Sequence, residues 1–283
     1  MAYAHQVIIS ASRRTDIPAF YAEWLTHRFR AGFCEVANPF NRRQVSRISL
    51  KPEDVDALVL WTRYPAPVLS RLPWFREQGI PVGALVTVVD YPRLLEPGMP
   101  ELEARISAFR ELATQSPPGA VIWRYDPVII SNLTNERYHE ERFRKIAGRL
   151  EGATNRVIVS LLAEYRSVRT ALTRLPDLRL QADEERGRAL LGRLAGIAAE
   201  HGMAMQSCSD PRLAGTPGVE PGGCISGELL RAAGVSGSLP ARARNQRPEC
   251  LCLESRDIGA YETCRFGCVY CYATHGSARA GTN

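Results

Sequence analysis

Ala84-Leu85-Val86-Thr87-Val88-Val89 reads as a strand, an apolar and largely β-branched run with helical patterns on either side. The same kind of run returns along the chain. Val7–Ser10, Cys34–Asn38 and Ala57–Thr62 precede it, and Val121–Arg124, Val157–Leu162 and Met203–Ser207 follow. Between these, apolar residues recur at helical spacing over Ala19–Ala31, Pro67–Gln78, Glu101–Gln115, Asn135–Leu150 and Glu184–His201, with Gly79 closing the second helix. Strands that alternate with helices imply a parallel sheet joined by crossovers, and about seven such units suit a complete or partial (β/α) TIM-like barrel. The expected class is α/β. The barrel is placed at residues 1–245, and a cysteine-rich, cluster-binding segment packed on it at 246–283.

That segment holds Thr263-Cys-Arg-Phe-Gly-Cys-Val-Tyr-Cys-Tyr-Ala273, which sets Cys264, Cys268 and Cys271 at the spacing C-x3-C-x2-C. Three thiolates so close on one loop can converge on a single inorganic centre, and soft sulfur selects an iron-sulfur cluster or zinc over hard cations. A structural zinc site would need a fourth ligand, for which His275 is available. The x3 gap, Gly267 before the middle cysteine and the aromatic Tyr270 before the third favour iron and sulfur. Together they resemble the cluster motif of radical S-adenosylmethionine (SAM) enzymes. In that superfamily three cysteines hold a 4Fe-4S cluster whose open iron is chelated by SAM.

Four more thiols, Cys208, Cys224, Cys250 and Cys252, precede the motif. Neighbours at i and i+2 such as Cys250 and Cys252 do not readily pair as a disulfide, but they can bind one metal with help from elsewhere, and Cys208 and Cys224 are the candidates for that help. A second four-thiolate site is expected, either a second 4Fe-4S cluster or zinc. Cys34 lies alone in an apolar run and reads as core packing.

Composition narrows the setting. The chain has no apolar run long enough to span a bilayer, and its N-terminal stretch lacks the layout of a signal peptide, so a cytoplasmic protein with no membrane partner is expected. In a reducing compartment eight cysteines are ligands before they are disulfides. The 36 basic and 30 acidic residues leave a charge of +6, scattered and not gathered into one run, which reads as a solvated surface.

Polar residues follow the strand-like runs, where a β/α barrel gathers its active site. Arg13 and Arg124 are candidates to meet an anionic group, and Asp126 and Glu164 to hold substrate or cofactor by hydrogen bonds. Thr62 and Thr87 are candidate cofactor contacts, as is Tyr270 beside the cluster. Ser10 and Asn38 sit at comparable positions.

Ile9-Ser-Ala-Ser-Arg-Arg-Thr-Asp-Ile-Pro18, Asn38-Pro-Phe40, Leu60-Trp-Thr-Arg63, Trp123-Arg-Tyr-Asp-Pro127, Gln246-Arg247 and Ser255-x-Asp257-Ile-Gly259, with the terminal cysteines, resemble the bacterial domain-of-unknown-function family 1848. More distantly, the Trp-Thr-Arg, Leu95-Glu-Pro97 and Arg-Tyr-Asp-Pro stretches resemble radical SAM proteins related to spore photoproduct lyase. There the cluster motif lies near the start of the barrel, whereas here it lies at the end, which implies a circularly permuted barrel. The resemblance implies a radical SAM-like enzyme that cleaves SAM reductively to abstract hydrogen from a small-molecule or nucleic-acid substrate. It would draw electrons from a donor such as flavodoxin or ferredoxin. The alternative class is a non-catalytic zinc or iron-sulfur module that binds nucleic acid.

Overall fold

The computed structural model describes residues 7–181, 183–208, 210–244, 246–247 and 249–274. The N-terminal stretch before Val7 and the proposed zinc ligand His275 lie outside them. The chain runs β1 (Val7–Ala11), α1 (Ile17–Phe20), α2 (Ala22–Arg30), β2 (Phe33–Asn38), β3 (Asn41–Ser49), β4 (Val55–Thr62), α3 (Ala66–Leu69), α4 (Leu72–Glu77) and β5 (Val82–Thr87). It continues through α5 (Leu102–Thr114), β6 (Val121–Val128), α6 (Glu136–Leu150), β7 (Arg156–Leu161), α7 (Arg166–Leu172) and α8 (Glu184–Glu200). β8 (Ala204–Cys208), β9 (Val219–Gly222), α9 (Gly227–Ala233) and β10 (Arg256–Asp257) complete it.

Side-chain caps set several helix starts. Asp16, Asn135, Asp183 and Ser226 each accept an amide N–H from the first turn of α1, α6, α8 and α9, satisfying donors that the helix itself cannot. The single helix expected over Pro67–Gln78 is instead two, because Pro73 has no N–H and is accommodated in the first turn of a new helix, α4.

Eight strands form one sheet in the order β10-β1-β4-β5-β6-β7-β8-β9, and every neighbouring pair is parallel. Among the described residues the sheet does not close: β10 and β9 are its two edges. Among the described residues the strands thus form an open parallel α/β sheet. Alternation along the strands explains why. On β4, Leu58 and Leu60 join a large core with α2, α4, α5, α6 and α8, whereas Ala57, Val59 and Trp61 join a second core on the opposite face. There Leu229 and Leu230 of α9 pack with Ile225, Val235, Cys224, Cys250 and Cys252, so the second face is covered by a helix and two thiol-bearing segments and has no need to curl onto itself. The approach is close: a Cβ on Gly83 of β5 would lie 3.0 Å from Leu229 Cδ1.

Two strand expectations change. Cys34–Asn38 is a strand, but it pairs antiparallel with β3 in a separate hairpin. Asn38 thus sits at an exposed hairpin turn, holding Gln44 and the Phe40 amide at 2.9 Å each, away from the ends of the main sheet. Cys34 itself is fully buried, as core packing requires. β9 and β10 are too short and too polar to give a sequence signal.

One buried histidine makes the fold sensitive to acid. His139 Nε2 faces the Ile129 carbonyl at 2.9 Å, an acceptor only, so that nitrogen carries the hydrogen and Nδ1 accepts from the Tyr125 hydroxyl at 2.9 Å. Burial lowers its pKa from 6.5 to about 4. Between those values the unfolded chain binds a proton that the folded one refuses, so stability falls as pH falls through the window, by about 3 kcal/mol in all. Urea midpoints measured across that range should decline toward acid, and His139→Gln should flatten the decline.

Candidate functional site

A single carboxylate ties the two ends of the described chain together. β10 pairs with β1 in the register Ile9↔Arg256 and Ser10↔Asp257. Asp257 Oδ2 accepts from Ser10 Oγ at 3.0 Å and the Arg13 amide at 2.8 Å, while Oδ1 accepts from Ser12 Oγ at 2.8 Å and the Gly259 amide at 3.0 Å. Gly259 is required here because a Cβ would stand 1.9 Å from Ser12 Oγ. The arginines after β1 also find partners in this segment: Arg13 donates to Ser255 Oγ at 3.0 Å, and Arg14 Nε lies 3.9 Å from Asp257. Replacing Asp257 by Asn sets its NH2 against one backbone N–H, of Arg13 or Gly259, whichever way the amide turns, and removes the charge from the remaining acceptor. Loss of about 2–3 kcal/mol is expected, read as a lower urea midpoint.

Beyond that clamp the chain enters the C-x3-C-x2-C loop, which is laced to the carboxyl ends of the strands. The Gly98 amide donates to the Phe266 carbonyl at 3.1 Å and the Val269 amide to the Leu95 carbonyl at 3.0 Å. Tyr21 Oη donates to the Thr263 carbonyl at 2.7 Å. Gly267, at φ 67°, supplies the left-handed turn between Phe266 and Cys268. Burial, with the Asp16 carboxylate close by, pushes the Cys264 thiol up to about 11. Burial raises the Cys268 thiol too, opposed by Arg63. The Ala273 amide donates to Cys271 Sγ at 3.4 Å.

Beside Cys268 lies a buried ion cluster that sequence reasoning passed over. Glu96, 1% exposed, accepts from both Arg63 and the Tyr270 hydroxyl, and Arg105 Nη1 stands 3.8 Å from its other oxygen. The Tyr270 ring also faces the Arg63 guanidinium at 5.6 Å and the Tyr91 ring at 5.7 Å. Arg63 offsets part of the burial that keeps the Cys268 thiol protonated, while Glu96 adds to it. The stretch Leu95-Glu-Pro97 was the available signal, since a glutamate between apolar neighbours needs a buried cation.

Across the sheet end, Arg13 and Arg124 lie against Trp61, at 5.4 and 5.0 Å from its ring. Arg124 pairs with Asp126, which also accepts from Ser160 Oγ, and the Tyr272 hydroxyl donates to the Arg13 carbonyl at 2.6 Å. Among the described residues Arg124 Nε and Trp61 Nε1 are buried with no acceptor. Further along, Cys208 Sγ and Cys224 Sγ are 3.2 Å apart, and Cys224, Cys250 and Cys252 lie in the second core with Cys208 packed against it. All of these thiols are free of disulfides. The contacts are pairwise: among the described residues no three His, Cys, Asp or Glu side chains are closed around a point where a metal ion could sit.

The residues singled out from sequence therefore fall into distinct places. Arg13, Arg124 and Asp126 share the neighbourhood between the two thiol groups. Thr62 is buried and bonds the Tyr64 amide at 3.0 Å, and buried Thr87 is the register partner of Arg124. Glu164 is exposed and pairs with Arg169 at 3.3 Å. Asp16 and Arg63, which follow strand-like runs in the sequence, join the site, and so do Glu96 and Asp257, which stand only in the stretches that carry the family resemblance. Two surface clefts lie nearby or apart: one of about 460 Å³ is lined by Arg242, Arg244, Gln246 and Arg247, and one of about 780 Å³ by α8 and Pro217. Among the described residues no helix is long and apolar enough to cross a membrane.

Fold and site together define an α/β protein with a parallel sheet whose carboxyl end carries thiols and guanidiniums. Residues 8–273 match the model of the family described as a domain of unknown function, DUF1848, and the chain belongs to that family. No curated protein matches it in sequence. Among solved structures, a Bacteroides thetaiotaomicron protein assigned as an alpha-L-fucosidase is 10% identical, with a TM-score of 0.31 over 82% of this chain and 84% of that one.

The lacing of the cysteine loop is open to a direct test. A Cβ on Gly98 would lie 2.7 Å from the Phe266 carbonyl oxygen, a backbone atom with nowhere to move. Gly98→Val should lift the loop, and alkylation of buried Cys268, followed by peptide mass mapping, should quicken about tenfold, the equivalent of roughly 1.4 kcal/mol lost from the closed state.

Proposed function

We propose that the chain is a radical SAM-like iron-sulfur enzyme built on an open, circularly permuted β/α barrel, with Cys264, Cys268 and Cys271 as ligands of a 4Fe-4S cluster. The observation that carries this reading is the strand order. β10, from the C-terminal segment, stands beside β1, and the strands then follow in chain order to β9. Taken with β10 as the first strand, the cysteine loop follows it directly, which is the place near the start of the barrel that the motif holds in the radical SAM proteins it resembles.

The donor set is of the type such a cluster takes, although in this structure the three sulfurs do not close on one point. Three thiols lie on one short turn, the Ala273 amide donates to the Cys271 sulfur, and Arg63 sets a cation beside Cys268. As free thiols Cys264 and Cys268 hold their protons, so loading would release protons to solvent. When bound, the cluster supplies the one-electron reduction that splits SAM and starts hydrogen abstraction. The chain's own groups do the rest. Glu96 fixes the Arg63 and Tyr270 side chains next to Cys268. Arg13 and Arg124, held against Trp61, present cations to an anionic group of SAM or substrate. Asp126, braced by Ser160, keeps the Arg124 guanidinium in place.

Anaerobic purification should give a brown protein with about four irons and four sulfides at this site, all lost when the three cysteines are changed to alanine. Reduction by dithionite, in place of a flavodoxin or ferredoxin, should convert SAM to methionine and 5'-deoxyadenosine. A colourless protein that leaves SAM intact would instead support a non-catalytic zinc module.

A further inference from the structure

We infer that Cys208, Cys224, Cys250 and Cys252 form a separate structural site for a single tetrahedral metal ion, zinc by ligand type, that pins the segments covering the second face of the sheet. The four thiols come from three places in the chain: the end of β8, the turn after β9 and the Cys250-Leu-Cys252 segment. The fold brings them together: Cys208 and Cys224 stand 3.2 Å apart, and Cys224, Cys250 and Cys252 share one core against which Cys208 packs.

Close approach of the sulfurs favours a single ion over a cluster. Each zinc–sulfur bond is about 2.3 Å, so the sulfurs of a tetrahedral tetrathiolate stand roughly 3.8 Å apart. The Cys208–Cys224 separation of 3.2 Å is on that scale. Thiolates around a four-iron cube each bind a different iron and cannot touch one another. Rotation about Cα–Cβ bonds, among staggered wells, is what separates the present arrangement from a tetrahedron.

The surroundings suit an anionic centre. Four thiolates around a divalent ion carry a net charge of minus two, which needs compensation in a buried place. Arg124 acts electrostatically on Cys208 and Cys224, Arg13 on Cys252, and Arg247 on Cys208 and Cys250. The unpartnered donors Arg124 Nε and Trp61 Nε1 lie in the same region, Trp61 in one apolar core with Cys224, Cys250 and Cys252. The backbone is shaped for close approach as well. A Cβ on Gly223 would lie 2.6 Å from the Leu251 carbonyl oxygen, so only glycine lets the Cys224 turn meet the Cys252 segment, where the Leu253 amide bonds the Ile225 carbonyl at 2.9 Å.

The test is metal content of the full chain, purified anaerobically without chelator and measured for zinc and iron together. Wild type should hold about one zinc per chain, and the Cys264/Cys268/Cys271→Ala variant should lose iron and keep it. Cys252→Ser should lose zinc and keep the iron of the other site, which separates failure of this inference from failure of the enzyme reading. Should that variant not fold, titrating native protein with a mercurial reagent should release zinc in step with these four thiols, and zinc X-ray absorption should report sulfur ligands alone. Iron in place of zinc at these four residues, no metal, or a Cys208–Cys224 disulfide would each overturn the assignment.

Discussion

The Asp257 carboxylate is the constraint on which the site depends. Its four acceptor contacts fix the loop after β1 and dock a strand of only two residues that could not hold its place by backbone pairing alone. Arg13 takes its direction from that loop, and the C-x3-C-x2-C turn begins seven residues beyond the aspartate. Hydrogen bonds to a charged acceptor are roughly twice as strong as neutral ones, which is why one side chain can do what a long strand does elsewhere in the sheet.

Charge is distributed to one end of the molecule in a consistent sense. The carboxyl ends of the strands bring together Arg13, Arg63 and Arg124, each held by an aromatic ring and a small set of acceptors. Glu96 and Asp126 position the guanidiniums without cancelling them, since Arg63 and Arg105 together outweigh Glu96. The result is a set of guanidiniums beside two groups of thiols, Arg63 opposing the burial that raises Cys268 and Arg124 lowering the cost of an anion at Cys208 and Cys224.

Much of this was legible in the sequence, and what was not has physical reasons. The parallel α/β architecture follows from apolar runs such as Ala57–Thr62 and Ala84–Val89, whose burial on both faces of the sheet leaves a strong signal. The cysteines stand out by residue type and spacing. Closure of the sheet could not be read, because it turns on α9, a helix of seven residues whose apolar side faces β5 across Gly83. Asp257 and Glu96 were equally hidden. A buried carboxylate looks like a surface one until its partners, 33 and 174 residues away for Glu96, are known. Asn38 failed in the opposite direction, since a strand end in a hairpin and a strand end in a sheet have the same local pattern.

The order β10-β1-β4 also bears on how the chain reaches its native state. Ser10 and Asp257 lie 247 residues apart, so the free edge of β1 must remain unpaired while the whole intervening chain is made and folded. Exposed edges of apolar strands invite pairing with other chains, and contacts this distant in sequence form late. The interaction that completes the cysteine loop is thus also the one that ends this exposure, which makes assembly of the thiol-bearing end a checkpoint on the chain having been synthesised through to its final described strand.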